Sequence, residues 1–267
     1  MTVKFYKYQG TGNDFVMIDN RPDHRFTKKH TALVKQLCDR KFGIGADGLI
    51  LLNDKKGYDF EMIYFNSDGN ESTMCGNGGR CLIKFAHDLG AIDKKCLFLA
   101  IDGPHEGALL NEGVISLKMK DVDDLEHYKD NDVILNTGSP HYVRFANNVG
   151  GMDIVEEAKG VRYSERFTKE GINVNFAERI SANEIFVRTY ERGVEDETLS
   201  CGTGVVASSL AFAAKDGNKV DKVRVKTPGG NLEVRFNAVG KGYENVYLIG
   251  PAEKVFEGTI EVSSVDL

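Results

Sequence analysis

The chain has no apolar run approaching the 18 residues a membrane-crossing helix needs. Its first ten residues, MTVKFYKYQG, do not read as a signal peptide. The expectation is a cytoplasmic protein with no membrane partner. An excess of positive charge is also missing. The 34 Lys and Arg against 40 Asp and Glu leave a net charge of -6 with the signs mixed, so there is no basic field for nucleic acid and no polybasic patch. A small molecule is the default partner. The five cysteines include no Cys-x-x-Cys pair, as a redox couple would have, and no His/Cys cluster at zinc spacing, so no metal is expected. In the cytosol they stay reduced, and Asn70-Glu71-Ser72 is a glycosylation sequon in form only. Cys38, Cys81 and Cys96 read as packing residues.

The other two cysteines stand in matched settings. Met74-Cys75-Gly76-Asn77-Gly78-Gly79-Arg80 returns 126 residues later (201 minus 75) as Ser200-Cys201-Gly202-Thr203-Gly204. Each cysteine follows a polar loop, precedes Gly-x-Gly and opens a run that reads as a helix. Cys81, Leu82, Phe85, Ala86 and Leu89 form an apolar face after Cys75. The run after Cys201 is apolar nearly all round, as for a helix enclosed by other structure. The echo reaches upstream. Tyr64 and Tyr190 each lie 11 residues before their cysteine, and Glu71 and Glu197 each lie four before. An old duplication follows, with one thiol per half. Unsatisfied N-H groups and the positive end of the helix dipole at such a position favour an anion, making thiolate accessible near neutral pH.

The 267 residues suit two domains of roughly 120 to 130 residues. We expect a first half over 1–120 and a second over 121–251, divided at the charged stretch Lys120-Asp-Val-Asp-Asp-Leu-Glu-His127. A last strand over about 252–267 is expected to return to the first half. Alternating segments predict strands at 3–8, 15–19, 49–52, 59–65, 97–101, 113–119, 171–176, 184–190, 222–226, 230–236 and 244–249, with the pattern also restarting at Val133. Helices are expected over 27–41, capped by Thr27 and closed by Gly43, and over 153–160. Glycine turns lie at 10–14 and 43–48, and a turn at 138–140 is expected to expose His141. Many short strands, few helices and 29 glycines predict α+β architecture, with two pseudo-symmetric halves. Each half is a curved, mostly antiparallel or mixed sheet around a central helix.

Matched thiols fit inversion of a stereocentre. One group takes a proton from one side of a carbon, the other returns one on the opposite side, and one is thiolate while the other is thiol. A hydrolytic nucleophile would need only one. No pyridoxal phosphate motif is evident, and helix N-termini aimed at a substrate carboxylate can stabilise the carbanion without a cofactor. Arg192 beside the site is a natural carboxylate clamp.

The sequence resembles the diaminopimelate epimerases end to end. The resemblance rests on Gly10-Thr-Gly-Asn-Asp-Phe-Val, Gly43-Ile-Gly-Ala-Asp-Gly, Phe65-Asn-Ser-Asp-Gly, Met74-Cys-Gly-Asn-Gly-Gly-Arg-Cys, Tyr190-Glu-Arg-Gly and Ser200-Cys-Gly-Thr-Gly. It implies a cofactor-independent epimerase of lysine and peptidoglycan precursor synthesis, often a homodimer, acting on diaminopimelate. Cys75 and Cys201 would be its acid/base pair, and His141 and Glu191 would assist at the reacting amino group. Asn13, Asn66, Asn173, Glu191 and Arg192 would hold the substrate, while Gly76, Asn77, Gly202 and Thr203 would receive the reacting carboxylate. This chain departs from the family in having Ser139 before Pro-His, where Asn is frequent, and in a loop between Arg192 and Cys201 one residue longer than the commonest form. Proline and hydroxyproline racemases are the nearest alternative, although they resemble Cys-Gly-His at the first thiol, where this chain has Asn77. A phenazine-synthesis-type isomerase lacks the thiol pair. An amino-acid-binding module would tolerate loss of either thiol.

Overall fold

A computed structural model describes residues 2–111, 113–129 and 132–262. Residues 263–267 of the expected terminal segment lie outside the described residues. The strands and helices are, in chain order, β1 (Thr2–Gly10), β2 (Asn13–Asp19), α1 (Thr31–Cys38), β3 (Gly48–Asn53), β4 (Phe60–Asn66), α2 (Gly76–Asp88), β5 (Lys95–Ala100), β6 (Gly103–Asn111) and β7 (Val114–Lys118). They continue as β8 (Glu126–Tyr128), β9 (Asp132–Asn136), β10 (Pro140–Phe145), α3 (Ile154–Arg162), β11 (Asn173–Ser181), β12 (Glu184–Glu191), β13 (Asp196–Thr198), α4 (Gly202–Lys215), β14 (Lys222–Thr227), β15 (Gly230–Val239), β16 (Gly242–Pro251) and β17 (Glu253–Glu261). The chain divides into two compact units, one of residues up to Leu117 together with those from Pro251 on, the other Lys118–Gly250.

In the first unit β1 pairs antiparallel with β2 and with β17, β2 parallel with β3, β3 antiparallel with β4, β4 parallel with β5, and β5 and β6 antiparallel with their successors. In the second unit β9 pairs antiparallel with β10 and with β8, β10 parallel with β11, β11 antiparallel with β12, β12 parallel with β14, and β14 and β15 antiparallel with their successors. The order of directions is the same in both, which a shared ancestry of the halves produces. The class is α+β with mixed sheets, mostly antiparallel, as the sequence led us to expect.

Where a strand is covered on both faces it is buried without a break, as β3 (GLILLN) illustrates, whereas β5 and β14 alternate buried and exposed residues. One face of the first unit packs against α1 through Leu33, Val34 and Leu37, which meet Val16, Ile18, Leu49, Leu51 and Phe65. The other face closes on α2, which touches β1, β2, β3, β6 and β17. In the second unit Ile154, Ala158 and Val161 of α3 meet Tyr142, Val174, Phe176 and Tyr190. There α4 lies among β9, β10, β11, β12, β14 and β15, and its Val205–Ala213 stretch is buried throughout. Burying one such Val, Leu or Phe side chain contributes about 1.5–3 kcal/mol, so these faces fix the register of the strands they cover.

The structure corrects several expectations. The first helix runs over Thr31–Cys38, not 27–41, and its N-cap is His30 with no side-chain cap, not Thr27. Thr27 instead closes a separate turn, donating its N-H to His30 Nδ1 and accepting from His30 N. At the other end Ile44 and Gly45 both donate to Leu37 O, folding the chain back so closely that a Cβ on Gly43 would lie 2.0 Å from Gln36 O. Strand β6 had no signal in Gly103-Pro-His-Glu-Gly; pairing with β5 and β7 makes it a strand, and Gly107 in it leaves room for Ile83 of α2. Short β8 and β13 were hidden among charged residues for the same reason. The Tyr64/Tyr190 echo is numerical only. Because β4 ends at Asn66 and β12 at Glu191, Tyr190 takes the place of Phe65, and both of these pack on the α1 or α3 side. The glutamate echo is structural, since Phe65 bridges Glu71 as Tyr190 pairs with Glu197.

Candidate active site

In the first unit Cys75 is half-buried and extended (φ -96°, ψ 127°), and its residue caps the start of α2. No acidic residue stands in the helix's first turn to neutralise its positive end. The Cys75 Sγ lies 3.6 Å from Asn13 Oδ1, which also accepts from Asn77 Nδ2 at 3.3 Å. Asn13 is aimed by Asp47, whose carboxylate takes the Asn13 amide at 2.6 Å and the guanidinium of Arg40 at 2.7 Å. Behind it, burial works to raise Asp14, but hydrogen bonds from Arg40 and Lys7 outweigh that and hold this carboxyl far below the usual range. Arg80 is wholly buried one turn into α2, donating to Gly76 O, Asn77 Oδ1, Thr11 Oγ1 and Pro251 O. All four partners are neutral, and burial pulls the guanidinium down to about 10. Asn66 is exposed at the end of β4, opposite Gly48.

In the second unit Cys201 takes the same role at α4 (φ -109°, ψ 112°), again with no acid in the first turn. Its Sγ lies 3.5 Å from Thr203 Oγ1, and Thr137 Oγ1 holds Thr203 O at 2.9 Å. Parallel pairing sets His141 beside Asn173, and antiparallel pairing sets Asn175 beside Thr189. Asn173 binds the neighbouring loop rather than standing open: its amide donates to Ser139 Oγ (2.8 Å) and Pro140 O (3.0 Å), and its oxygen accepts from Arg192 N (2.8 Å). Ser139 therefore contacts Asn173. Arg192 is anchored through Nη1 to Glu170 O, and Glu191 accepts from Thr198 Oγ1. The loop leading to Cys201 is tied by Glu195, held at φ +58°, which receives Arg162, Tyr163, Tyr190 and the Gly193 N-H. Burial would raise Glu195, but Arg162 and the other donors bring it down to about 2.

His141 is not exposed by a turn. It is the second residue of an interior strand and is wholly buried. Burial, with Arg192 adding to it, lowers its imidazole to about 3. Cys38, Cys81 and Cys96 are core residues whose thiols burial pushes up to about 12.

The structure thus brings Asn13, Cys75, Gly76 and Asn77 together in one unit. In the other it gathers His141, Asn173, Glu191 and Arg192 on adjoining strands and loops, with Cys201, Gly202 and Thr203 at the start of α4. Asp47, Arg80, Asn175 and Thr189 went unassigned from sequence. Asn173 and Asn175 are two apart on a strand and therefore share a face, a signal that was available. Asp47 is far from Asn13 in the chain and gave none. Glycine at 204 is required for a related reason, since a Cβ there would lie 2.3 Å from Asn175 Oδ1, whereas one on Gly78 would come no closer than 3.0 Å, to the tip of Ile50. Gly204→Ala is expected to cost about 1–3 kcal/mol in denaturant unfolding and Gly78→Ala clearly less.

No described helix is long and apolar enough to cross a membrane. A chain of two such units has the fold of a known group of solved structures. A phenazine biosynthesis protein from Bacillus anthracis matches with a TM-score of 0.77 at 14% identity, covering 98% of this chain and 100% of that one. A hydroxyproline epimerase from Agrobacterium vitis, solved with trans-4-hydroxy-L-proline, matches with a TM-score of 0.69 at 12% identity, covering 97% and 92%. At such identities the likeness is one of fold. Sequence narrows it. The diaminopimelate epimerase family profile matches residues 5–122 and 133–255. A diaminopimelate epimerase from Flavobacterium psychrophilum is 52% identical over 258 residues, 97% of this chain and all of that protein. The chain belongs to the diaminopimelate epimerase family.

Proposed function

We propose that this protein is a cofactor-independent isomerase that interconverts LL- and meso-2,6-diaminopimelate by moving a proton at one α-carbon, as a step of lysine synthesis. The observation that carries the reading is the repeated placement of one residue type. Each unit sets a cysteine, extended and followed by Gly-x-Gly, at the start of its central helix. One thiolate removes the α-proton while the other thiol supplies one to the opposite face, and the roles exchange in the reverse direction. The N-H groups of Gly76, Asn77, Gly202 and Thr203, with both helix dipoles behind them, receive the carboxylate and the charge that develops next to it. Asn13, Asn66, Asn173 and Arg192 hold the distal amino-acid end. His141 and Glu191 stand with the reacting end. A pocket that hydrogen-bonds a second head group rejects analogues lacking it. The homodimer and the cytoplasmic setting expected from the resemblance belong to the same reading, and sedimentation of the purified protein checks the first.

Incubation with LL-diaminopimelate in deuterium oxide, with proline in parallel, tests the reaction. Deuterium should enter diaminopimelate at the inverted α-carbon and should not enter proline. Label in proline alone, or in neither compound, would overturn the assignment.

A further inference from the structure

We propose that Asn175 is a positioning residue that fixes His141 as the Nε2-H tautomer, making His141 a permanent hydrogen-bond donor to a substrate carboxylate and not a proton shuttle. This deepens the epimerase reading and rests on it for the identity of the substrate. The hydrogen-bond geometry determines the tautomer. Asn175 is wholly buried. The carbonyl of Tyr142, 3.0 Å from Asn175 Nδ2, can only accept, and the Thr189 hydroxyl donates to Asn175 Oδ1 at 2.9 Å, so the amide has one orientation. The second Nδ2 hydrogen then points at His141 Nδ1, 3.1 Å away. A donor there requires a bare Nδ1, which leaves the ring proton on Nε2. Protonating the ring would set two N-H groups against each other. Arg192, the charged group acting on the ring, opposes it as well.

Two further observations point to a ligand. His141 Nε2 is buried and has no hydrogen-bond partner among the described residues, a state that is costly unless something binds there. The first unit also shows that packing does not require this arrangement. Its register places Phe15, Ile50 and Tyr64 where the second unit has His141, Asn175 and Thr189. Ile50 and Phe15 lie nearest to Gly78, as Asn175 and Thr189 lie nearest to Gly204. An ammonium offers only donors, so the N-H of His141 has no use for a substrate amine. A carboxylate oxygen accepts it.

The test is nitrogen-15 NMR of the histidine-labelled protein. In the free enzyme His141 should show a bare Nδ1 and a protonated Nε2, unchanged from pH 8 to pH 5. A His141 that titrates in that range, or that carries its proton on Nδ1, overturns the proposal whatever the protein catalyses. Added diaminopimelate should shift the Nε2-H signal, whereas 1,5-diaminopentane, which keeps both amines and no carboxylate, should not. An equal shift with the diamine, or none with diaminopimelate, removes the carboxylate assignment. Asn175→Asp, which can only accept from the ring, should move the proton to Nδ1 and lower kcat by ten- to a hundredfold. Where that variant fails to fold, His141→Gln still decides. It keeps a side-chain donor that does not titrate, so turnover slows but the pH-rate profile keeps its wild-type shape. A lost limb in that profile would mean that the imidazole does exchange protons. Failure of the deuterium experiment with a fixed Nε2-H would count against the substrate alone.

Discussion

Replacing either Cys75 or Cys201 by serine should lower the epimerisation rate by about 10²–10⁴, the range expected on losing a general acid or base, and leave the protein at least as stable as before. The two halves of that expectation have one physical origin. Both cysteines occupy N-cap positions, and neither makes a side-chain cap hydrogen bond. Serine is a preferred N-cap residue, because its hydroxyl accepts from a backbone N-H of the first turn, and such caps contribute about 0.5–2 kcal/mol. A cap that favours stability therefore replaces a thiol that only the chemistry requires. Initial rates in both directions, with denaturant unfolding of the same samples, check the pair. A serine variant that epimerises near the wild-type rate would end the two-base scheme, and one that unfolds readily would mean the thiols are structural.

The second large effect concerns acid. In the unfolded chain the imidazole of His141 takes up a proton around its ordinary 6.5, while in the fold burial delays this to about pH 3. Between those limits the unfolded state binds more protons, so falling pH favours unfolding. The slope approaches about 1.4 kcal/mol per pH unit, which integrates to about 2 kcal/mol between pH 6.5 and 4.5. Below that, Asp14 and Glu195 add to the loss in the same direction, since both are held down in the fold and their stabilisation disappears as they protonate. Urea midpoints from pH 7 to 4.5 should fall in the wild type. The fall should be much smaller in His141→Gln. A midpoint flat with pH in the wild type would show that His141 is charged in the fold or reached by water.

These effects also explain what was legible in the chain. Cysteine is an unusual choice for a helix start, and finding it twice before Gly-x-Gly broke a local preference in matched places, which is how a functional position shows itself in sequence. The central helices were visible for a similar reason. The apolar face after Cys75 and the all-round apolar run after Cys201 are local patterns that burial imposes directly. Strand β6 was not visible, because Gly103-Pro-His-Glu-Gly has no strand preference of its own and depends on its neighbours for pairing. His141 was placed wrongly, since a residue after Ser-Pro looks like part of a turn until β9 and β11 are known to flank it.

By itself, then, the sequence determined the duplication, the α+β class and the two thiols with their helix starts. Each of these is written in neighbouring residues as a period, a motif or a violated preference. Tertiary structure alone decided that Asp47 aims Asn13, that Arg80 is buried among neutral acceptors, and that Thr189 bonds the Asn175 that meets His141. Those relations join residues up to 171 positions apart, as Arg80 and Pro251 are. A hydrogen bond depends on where two atoms meet in space, and no local pattern in the chain records that meeting.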